Sequence, residues 1–459
     1  MLVALAGSSV AEPAFAAGRD SARHAPGPKR SPVPAYARIP VPPPLPAASP
    51  VAIADQLRGQ AKGKLKQFYA ARNFAPLWAA TGRIGLGGDA LVTYVGGADL
   101  DGLHASSYRP QDLRRAIDEA NSSLDPKAMA KAELALSKAL SRYAVDQRKF
   151  NKRDLAQMTW ADKRLTPAKK PPEDLVLKLG ARAPSFDRFV SNMEWMSPQY
   201  VRLRRTLGQA VATAQPDETQ NRIRLNLKRA RLLPGPWTQH ILVDAASGRL
   251  WWFEAGQQRG TMKVVVGKQA SPTPMLVGSV QYAILDPYWN IPVDLAQTLI
   301  APKVLAGRTL KMMNMEALSD FTDQAHVIDP ETIDWNAVAA GTRELRIRQL
   351  PGPYNSMGRV KFMFPNDLGI YLHDTPEREL LEKDNRHFSN GCIRLEDAPG
   401  LGKWLLGRPV ANPSHRPEQV VTLPYPVPVY VTYLTVAETP PGMNIALLDD
   451  VYSRDIPKR

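Results

Sequence analysis

The sequence is poor in residues that cross-link a chain or hold metal ions. Cys392 is the single cysteine in 459 residues, so the chain forms no intramolecular disulfide. His240, His326 and His387 do not lie at ligand spacing with acidic residues or with that cysteine, which predicts no metal site. After residues 1–17, no run reaches the ~18–20 apolar residues of a membrane-spanning helix. With 44% hydrophobic residues, the chain can still bury a sizeable core.

Proline, by contrast, is abundant near the N-terminus. Residues 21–50 hold ten prolines, which predicts an extended linker over residues 18–50. Residues 2–17, LVALAGSSVAEPAFAA, resemble the end of a secretory signal that is cleaved after Ala16 or Ala17. We therefore expect residues 1–17 to be a signal segment, and the alternative is an alanine-rich tail.

The rest of the chain predicts an α+β multidomain protein. Residues 51–236 form an α-helical domain in this interpretation, because apolar residues recur there at helical spacing. The predicted helices cover residues 52–68, 110–120, 126–150 and 220–232. Residues 237–437 form a mainly-β domain, and residues 438–459 form a C-terminal tail.

Alternating apolar residues define the strands of the β domain. They predict hairpins that pair residues 240–244 with 250–253 and residues 360–364 with 369–373, and further strands over 263–267, 277–285 and 427–436. Residues 294–346 interrupt these strands with a helical and irregular pattern. A last helix is predicted over residues 398–406, with Asp397 as its N-cap and Gly407 at its end.

Cys392 lies in the segment with the most reactive side chains. A thiolate is the strongest nucleophile among ordinary side chains, and it needs a base or a cation nearby at neutral pH. A lone cysteine is more often a small buried hydrophobic residue. Here, however, side-chain alternation places Tyr371 and His373 on the strand face opposite the core. Gly391 directly precedes the cysteine, where a side chain would obstruct a tight turn. We predict a catalytic pair of Cys392 and His373.

Several motifs together resemble one known family. VKFMFPNDLGIYLHDTP (residues 360–376) and FSNGCIR (residues 388–394) resemble the YkuD-type catalytic domain of L,D-transpeptidases, in particular the large periplasmic YcbB-like branch. PYWNIP (residues 287–292) and PVPVYVTYLT (residues 426–435) extend the resemblance. The family pattern is a histidine, a spacer and Ser/Thr-His-Gly-Cys-x-Arg. Fifteen residues separate His373 from Ser389, and the pattern departs at Asn390, where many members have histidine.

The resemblance also assigns the domains. It implies a helical scaffold domain before residue 237 and a helical cap insertion at about residues 294–346. Many members of the branch carry a peptidoglycan-binding module after the scaffold helices. Only 25 residues lie between Tyr200 and Asn226, so we expect that module to be missing.

The resemblance implies roles for further residues, and each role has a structural alternative. Tyr371 would line the pocket. Arg394 would favour the thiolate or bind a substrate carboxylate, or else form an ion pair. Ser389 would orient His373 or the backbone, and Asn390 would contact the substrate amide or support a turn. Trp289 would be a substrate-side aromatic residue or a core residue.

The implied activity is transfer between peptidoglycan stem peptides in the periplasm. Cys392 would attack the donor, His373 would move protons, and backbone N–H groups around Gly391 and Cys392 would bind the oxyanion. Acceptors would be a second stem, a free D-amino acid or the N-terminus of an outer-membrane protein. Carbapenems would acylate Cys392, and no cofactor is needed. The rivals are a hydrolase with the same residues and a non-catalytic wall-binding protein.

The net charge of +15 and the pI near 9.7 bear on the partners. Nucleic acid is one interpretation. The basic residues are scattered without an array of interleaved aromatic residues, so we expect no nucleic acid. An anionic wall polymer suits the charge better. We expect the protein to act as a monomer.

Overall fold

The computed structural model describes residues 46–414, 416–437 and 444–455. The signal prediction for residues 1–17, and the linker prediction up to residue 45, lie outside these residues. Within the described ranges no helix has both the length and the apolar character to cross a membrane. The helices of the N-terminal domain are α1 (Pro50–Gln60), α2 (Gly63–Ala70), α3 (Leu86–Gly96), α4 (Pro110–Ser123), α5 (Pro126–Gln147), α6 (Lys152–Leu155), α7 (Leu175–Gly180), α8 (Phe186–Ser191), α9 (Pro198–Ala212) and α10 (Asp217–Ala230).

Capping residues explain where the predicted helices begin and break. The Asp125 side chain accepts a hydrogen bond from the Ala128 N–H at the start of α5, which has proline in its first turn. The helix predicted over residues 52–68 is two helices. Ala61 is extended and Gly63 has φ +56°, so the chain bends between α1 and α2. α9 and α10 together cover most of the residues between Tyr200 and Asn226.

Buried carboxylates with several donors tie the helices together. Asp101 accepts hydrogen bonds from the hydroxyls of Tyr143 and Tyr200, both at 2.5 Å, and from Arg204 Nε at 2.9 Å. Glu133 on α5 accepts from the Tyr69 hydroxyl at 2.7 Å and from backbone N–H groups of residues 77–79. Because every buried oxygen of these two groups has partners, they hold the packing in place.

The strands belong to two sheets. They are β1 (Thr159–Trp160), β2 (His240–Asp244), β3 (Arg249–Glu254), β4 (Gln257–Gly267), β5 (Leu276–Leu285), β6 (Trp289–Ile291), β7 (Met315–Leu318), β8 (Val327–Ile328), β9 (Arg346–Gln349), β10 (Val360–Met363), β11 (Leu372–His373), β12 (His387–Ser389), β13 (Ile393–Leu395) and β14 (Gln419–Thr432).

The larger sheet closes on itself. Its strand order is β1-β5-β10-β11-β13-β4-β3-β2-β14, and β14 also pairs with β5, while β12 pairs with β4. Both predicted hairpins are confirmed, since β2 pairs with β3 and β10 with β11 in antiparallel register. β1 comes from the helical domain and extends this sheet by pairing in parallel with β5. This two-residue strand is too short to produce a periodic pattern, and the sequence did not predict it.

The C-terminal helix has the predicted bounds. It is Ala398–Leu406 and is labelled α14, because three short helices described in the next paragraph precede it in the chain. Asp397 accepts a hydrogen bond from the Gly400 N–H at 2.8 Å, and Gly407 ends the helix with φ +67°. The helix packs its buried leucines against the core of the β domain.

The segment that was predicted to be a cap insertion, called the cap below, contains a sheet of its own. β6, β9, β7 and β8 pair in that order, and three short helices join them: α11 (Val293–Leu295), α12 (Ala301–Leu305) and α13 (Trp335–Ala339). A separate hydrophobic cluster fills the space between sheet and helices. The prediction of a purely helical and irregular segment over residues 294–346 missed this sheet, because its strands have only two to four residues each.

The last described residues are not a free tail. Leu447 forms a β-bridge with Val436, and Asp455 pairs with Arg222 and Arg229 of α10. Of the predicted tail at residues 438–459, residues 444–455 are described, and they pack on the protein.

Candidate active site

Two neighbouring strands bring the predicted catalytic residues together. β11 and β13 pair in parallel, with Leu372 opposite Ile393 and His373 opposite Arg394. The Ile393 N–H donates to the Tyr371 carbonyl at 3.1 Å. Cys392 therefore directly precedes β13, at the level of Tyr371, which directly precedes the strand that carries the histidine.

The turn before the cysteine is fixed by Ser389. Its hydroxyl donates to the Cys392 carbonyl at 2.6 Å and accepts from the Gly391 N–H at 3.1 Å. Gly391 has φ +116°, a value that side chains rarely allow, so glycine is required there. Ser389 thus orients the backbone, the second of its predicted roles, and Asn390 is exposed at the turn.

The expected pair of oxyanion donors is reduced to one. The Gly391 N–H is used by Ser389, so the prediction of a free donor at that residue is wrong. In the described part of the chain, the Cys392 N–H has no hydrogen-bond partner. This N–H remains available to a substrate oxygen.

His373 is held in one orientation by the next residue. Its Nδ1 lies 2.6 Å from the Asp374 carbonyl oxygen, so Nδ1 carries the proton and donates. No partner of Nε2 occurs among the described residues, and that nitrogen keeps its lone pair. The ring shares a strand face with Tyr371, at 5.8 Å between ring centroids, as predicted. It is only 2% exposed, however, so the expectation of an open face is wrong.

Burial also sets the protonation of the two reactive groups. It lowers the pKa of His373 to about 3, with the positive charge of Arg394 as the next cause. Burial raises the pKa of the Cys392 thiol, while hydrogen bonds from the Tyr371 backbone and hydroxyl oppose that rise. The Cys392 thiol is directed to the Gly369 carbonyl at 3.5 Å. At neutral pH the resting site therefore contains a neutral thiol and a neutral imidazole.

Arg394 forms an ion pair at the edge of the site. Its guanidinium contacts the Glu377 carboxylate, which is half-exposed. Arg394 thus forms the ion pair that was the structural alternative to a role with the thiolate or the substrate. The guanidinium charge still acts on both reactive groups, because it lowers the pKa of His373 and that of Cys392.

The sequence interpretation missed two neighbours of the histidine. Lys361 lies directly across from His373 on β10, is 8% exposed and places Nζ 3.3 Å from Glu418. A lysine inside the apolar run VKFM was the signal that could have revealed this neighbour. The second neighbour is Asp374, whose carbonyl orients the imidazole and whose carboxylate binds Arg378 at 2.6 Å. Sequence gives no signal for a backbone contact.

Trp289 lies outside this cluster of residues. It belongs to β6 and packs, half-buried, against the hydrophobic core of the cap. That position matches the core alternative for this residue. No group of three or more histidine, cysteine or acidic side chains is arranged to hold a metal ion in the residues that the structure describes.

Comparison with known proteins identifies both domains. Residues 238–421 match the family model for the L,D-transpeptidase catalytic domain, and residues 63–207 match the model for the Scaffold domain. A protein of Haemophilus influenzae described as "Putative L,D-transpeptidase" is 27% identical over 274 residues, 58% of this chain and 55% of the relative. The chain thus spans about half the length of that relative.

Solved structures of L,D-transpeptidases resemble the chain only weakly. An L,D-transpeptidase from Mycobacterium smegmatis is 11% identical, with a TM-score of 0.21 and coverage of 42% of this chain and 58% of that chain. L,D-transpeptidase 3 from Mycobacterium tuberculosis is 12% identical, with a TM-score of 0.22 and coverage of 42% and 61%. Likeness at these TM-scores supports no conclusion, so the assignment rests on the two family matches.

Proposed function

We propose that this protein, a Scaffold domain followed by an L,D-transpeptidase catalytic domain, transfers peptidoglycan stem peptides through a thioester on Cys392. One observation carries the proposal. Cys392 directly precedes β13, the strand that pairs with the strand of His373, and the Asp374 carbonyl fixes Nδ1 of His373 so that Nε2 is free to act as a base. A neutral imidazole on the strand next to a neutral thiol suits general-base activation during the attack.

The first half-reaction forms the acyl-enzyme. His373 takes the thiol proton while Sγ bonds to the donor carbonyl carbon, at the L-centre of the third stem residue. The carbonyl oxygen becomes an oxyanion, and the Cys392 N–H is the available backbone donor to it. Collapse breaks the peptide bond, and His373 returns its proton to the leaving amine of the terminal D-amino acid.

The second half-reaction transfers the acyl group. An acceptor amine attacks the thioester carbonyl and gives its proton to His373. The C–S bond then breaks, the thiol regains that proton, and a new amide remains. The acceptor amine belongs to a second stem in our proposal, which gives a cross-link between third residues. A free D-amino acid or a protein N-terminus would use the same steps.

The setting follows from the substrate. Peptidoglycan lies outside the cytoplasmic membrane, so we propose that the protein is exported and acts in the periplasm. The basic surface charge would favour association with an anionic wall polymer.

Incubation with purified muropeptides and mass analysis of the products tests this proposal. We expect cross-linked dimers and released D-amino acid from the wild-type protein and neither product from Cys392→Ser. Tripeptide stems without dimers would show that water is the acceptor and that the protein is a hydrolase. Unchanged muropeptides bound to the wild-type protein would favour the non-catalytic rival.

A further inference from the structure

The C-terminal residues 450–455 connect the helical domain to the turn that carries Cys392. One end of this segment is fixed on α10. Asp455 pairs with Arg229 Nη1 at 2.7 Å and with Arg222 Nε at 2.8 Å, and it accepts from the Thr435 hydroxyl at 2.5 Å. Arg229 is buried, so this anchor is not a solvated surface pair.

Tyr452 and Arg454 extend the connection toward the β domain. The Tyr452 ring stacks on Tyr433 with 5.0 Å between centroids, and the Arg454 guanidinium lies 4.8 Å from the Tyr452 ring. The Tyr452 hydroxyl donates to the Gly267 carbonyl at 2.5 Å. Arg454 Nη2 donates to the Thr273 carbonyl at 3.0 Å. Both contacts hold the loop that joins β4 to β5.

Thr273 completes the path to the active site. It is fully buried, and its hydroxyl accepts from the Gly267 N–H at 2.8 Å. The same hydroxyl donates to the Gly391 carbonyl at 2.7 Å. That carbonyl belongs to the peptide group whose N–H is that of Cys392.

A planar trans peptide directs its C=O and N–H to opposite sides. A hydrogen bond that fixes the Gly391 carbonyl on one side therefore aims the Cys392 N–H on the other. A bonded carbonyl also strengthens the N–H of the same peptide group as a donor. Because the Gly391 N–H is already used by Ser389, the direction of this single peptide group decides where an oxyanion is stabilised.

We propose that Thr273 is a positioning residue that aims the Cys392 N–H at the substrate oxyanion, and that residues 450–455 hold Thr273 in place. The inference rests on the proposed function, because it concerns the oxyanion of the acylation step. It assigns a catalytic contribution to a segment that the sequence presents as a tail.

Two reactions of the same sulfur separate this role from a structural one. Acylation by a carbapenem passes through an oxyanion, whereas alkylation by iodoacetamide does not. Cys392 is the single cysteine of the chain, so alkylation reports this thiol alone. A change in the peptide direction should slow the first reaction and spare the second.

The variants are made in the full-length protein and compared below their melting temperatures. We expect Thr273→Val to slow acylation by about 10–100-fold while the alkylation rate stays within twofold, because misplacing an oxyanion donor costs up to that order. Thr273→Ser restores the hydroxyl and should recover most of the rate. Tyr452→Phe, which loses the bond to Gly267, should act in the same direction with a smaller effect.

Matched controls exist for both substitutions. Thr432 is fully buried in β14 and its hydroxyl has no partner among the described residues, so Thr432→Val should change neither rate. Tyr425 is 77% exposed, and Tyr425→Phe should behave likewise.

The inference is overturned if the wild-type protein is acylated and Thr273→Val slows acylation and alkylation equally, or slows neither. If Thr273→Val does not fold, Tyr452→Phe decides by the same ratio of rates. A wild-type protein that alkylates but is acylated by neither a carbapenem nor a stem donor would instead overturn the proposed function, and the inference with it.

Discussion

Both halves of the molecule bury polar groups, but they complete the hydrogen bonding of those groups differently. In the helical domain, Asp101 is surrounded by the hydroxyls of Tyr143 and Tyr200 and by the Arg204 guanidinium. In the β domain, His373 has one ring nitrogen fixed by a backbone carbonyl and the other without a partner in the described part of the chain. The arrangement around Asp101 leaves no polar atom free for a substrate. The arrangement around His373 leaves one ring nitrogen free.

This difference in hydrogen bonding distinguishes a structural polar group from a reactive one. A buried group with all partners in place contributes to stability and to a unique packing, and it is costly to break. A buried group with an open position keeps a lone pair or a donor for a reacting molecule. Changes in the two regions should therefore separate stability from chemistry.

The largest effect on chemistry is expected from Cys392→Ser. The swap is nearly isosteric, while an alcohol is a far poorer nucleophile at neutral pH, so stem transfer should fall by at least ~10³-fold. The melting temperature should stay close to that of the wild-type protein. Product yield by mass analysis checks the first expectation and calorimetry the second. A folded variant with ordinary yield would remove the thiol from the mechanism.

His373→Ala should follow, with a loss of about 10²–10⁴-fold in acylation by a carbapenem, because the general base is gone. Stopped-flow fluorescence or mass spectrometry gives the rate. The exposed His104 offers a control, and His104→Ala should acylate at the wild-type rate. If acylation of His373→Ala is also unchanged, the imidazole is structural and another base activates the thiol.

Asp101→Ala should lower stability and leave the chemistry unchanged, the opposite of the two variants above. It leaves the Arg204 guanidinium buried without its carboxylate, which should reduce the free energy of unfolding by about 3–5 kcal/mol. Denaturant titration measures that loss, while acylation per folded molecule should not change. Asp89→Ala, which removes a half-exposed pair with Arg114, should cost less than about 1 kcal/mol. Equal costs for the two variants would contradict the comparison.

The smallest expected effect is that of pH. The pKa of His373 lies at about 3, below the ordinary value of 6.5, so the imidazole stays neutral and basic as the pH falls through 6.5. The acylation rate should then vary by less than about threefold between pH 5 and 7. A tenfold drop per pH unit below 6.5 would mean that His373 titrates normally.

Variants of Arg394 test the cause of the low pKa of His373. The positive charge of Arg394 is the second cause of the low pKa of His373, so Arg394→Gln should move the acidic limb of the pH profile to higher pH. Arg394→Lys keeps the charge and should leave the limb nearly in place. An identical limb in both variants would show that the charge of Arg394 does not contribute to the low pKa of His373.

The sequence predicted those parts of the fold that repeat over many residues or end in distinctive caps. The hairpins of β2–β3 and β10–β11, and the helix after Asp397, have clear apolar alternation or a clear cap. It missed β1 and the sheet of the cap, because strands of two to four residues carry no periodic signal. It also took residues 444–455 for a tail, since several of their contacts are with residues more than a hundred positions away.

The site was predictable in its reactive side chains but not in its backbone. Cys392, His373 and Gly391 follow from residue chemistry and motif spacing. The contact of Asp374 with the imidazole and the loss of the Gly391 N–H to Ser389 depend on backbone direction, which a side-chain pattern does not encode. Burial of His373 was also missed, because alternation along one strand does not show what covers each of its faces in the folded protein.

The central claim is that Cys392 carries the acyl group. Intact-protein mass spectrometry after brief incubation with a tetrapeptide stem or a carbapenem, followed by peptide mapping, tests it most directly. We expect one adduct per chain, on the peptide that contains Cys392, and no adduct on Cys392→Ser. An adduct on any other residue, or turnover of the stem by a folded Cys392→Ser protein, would contradict it.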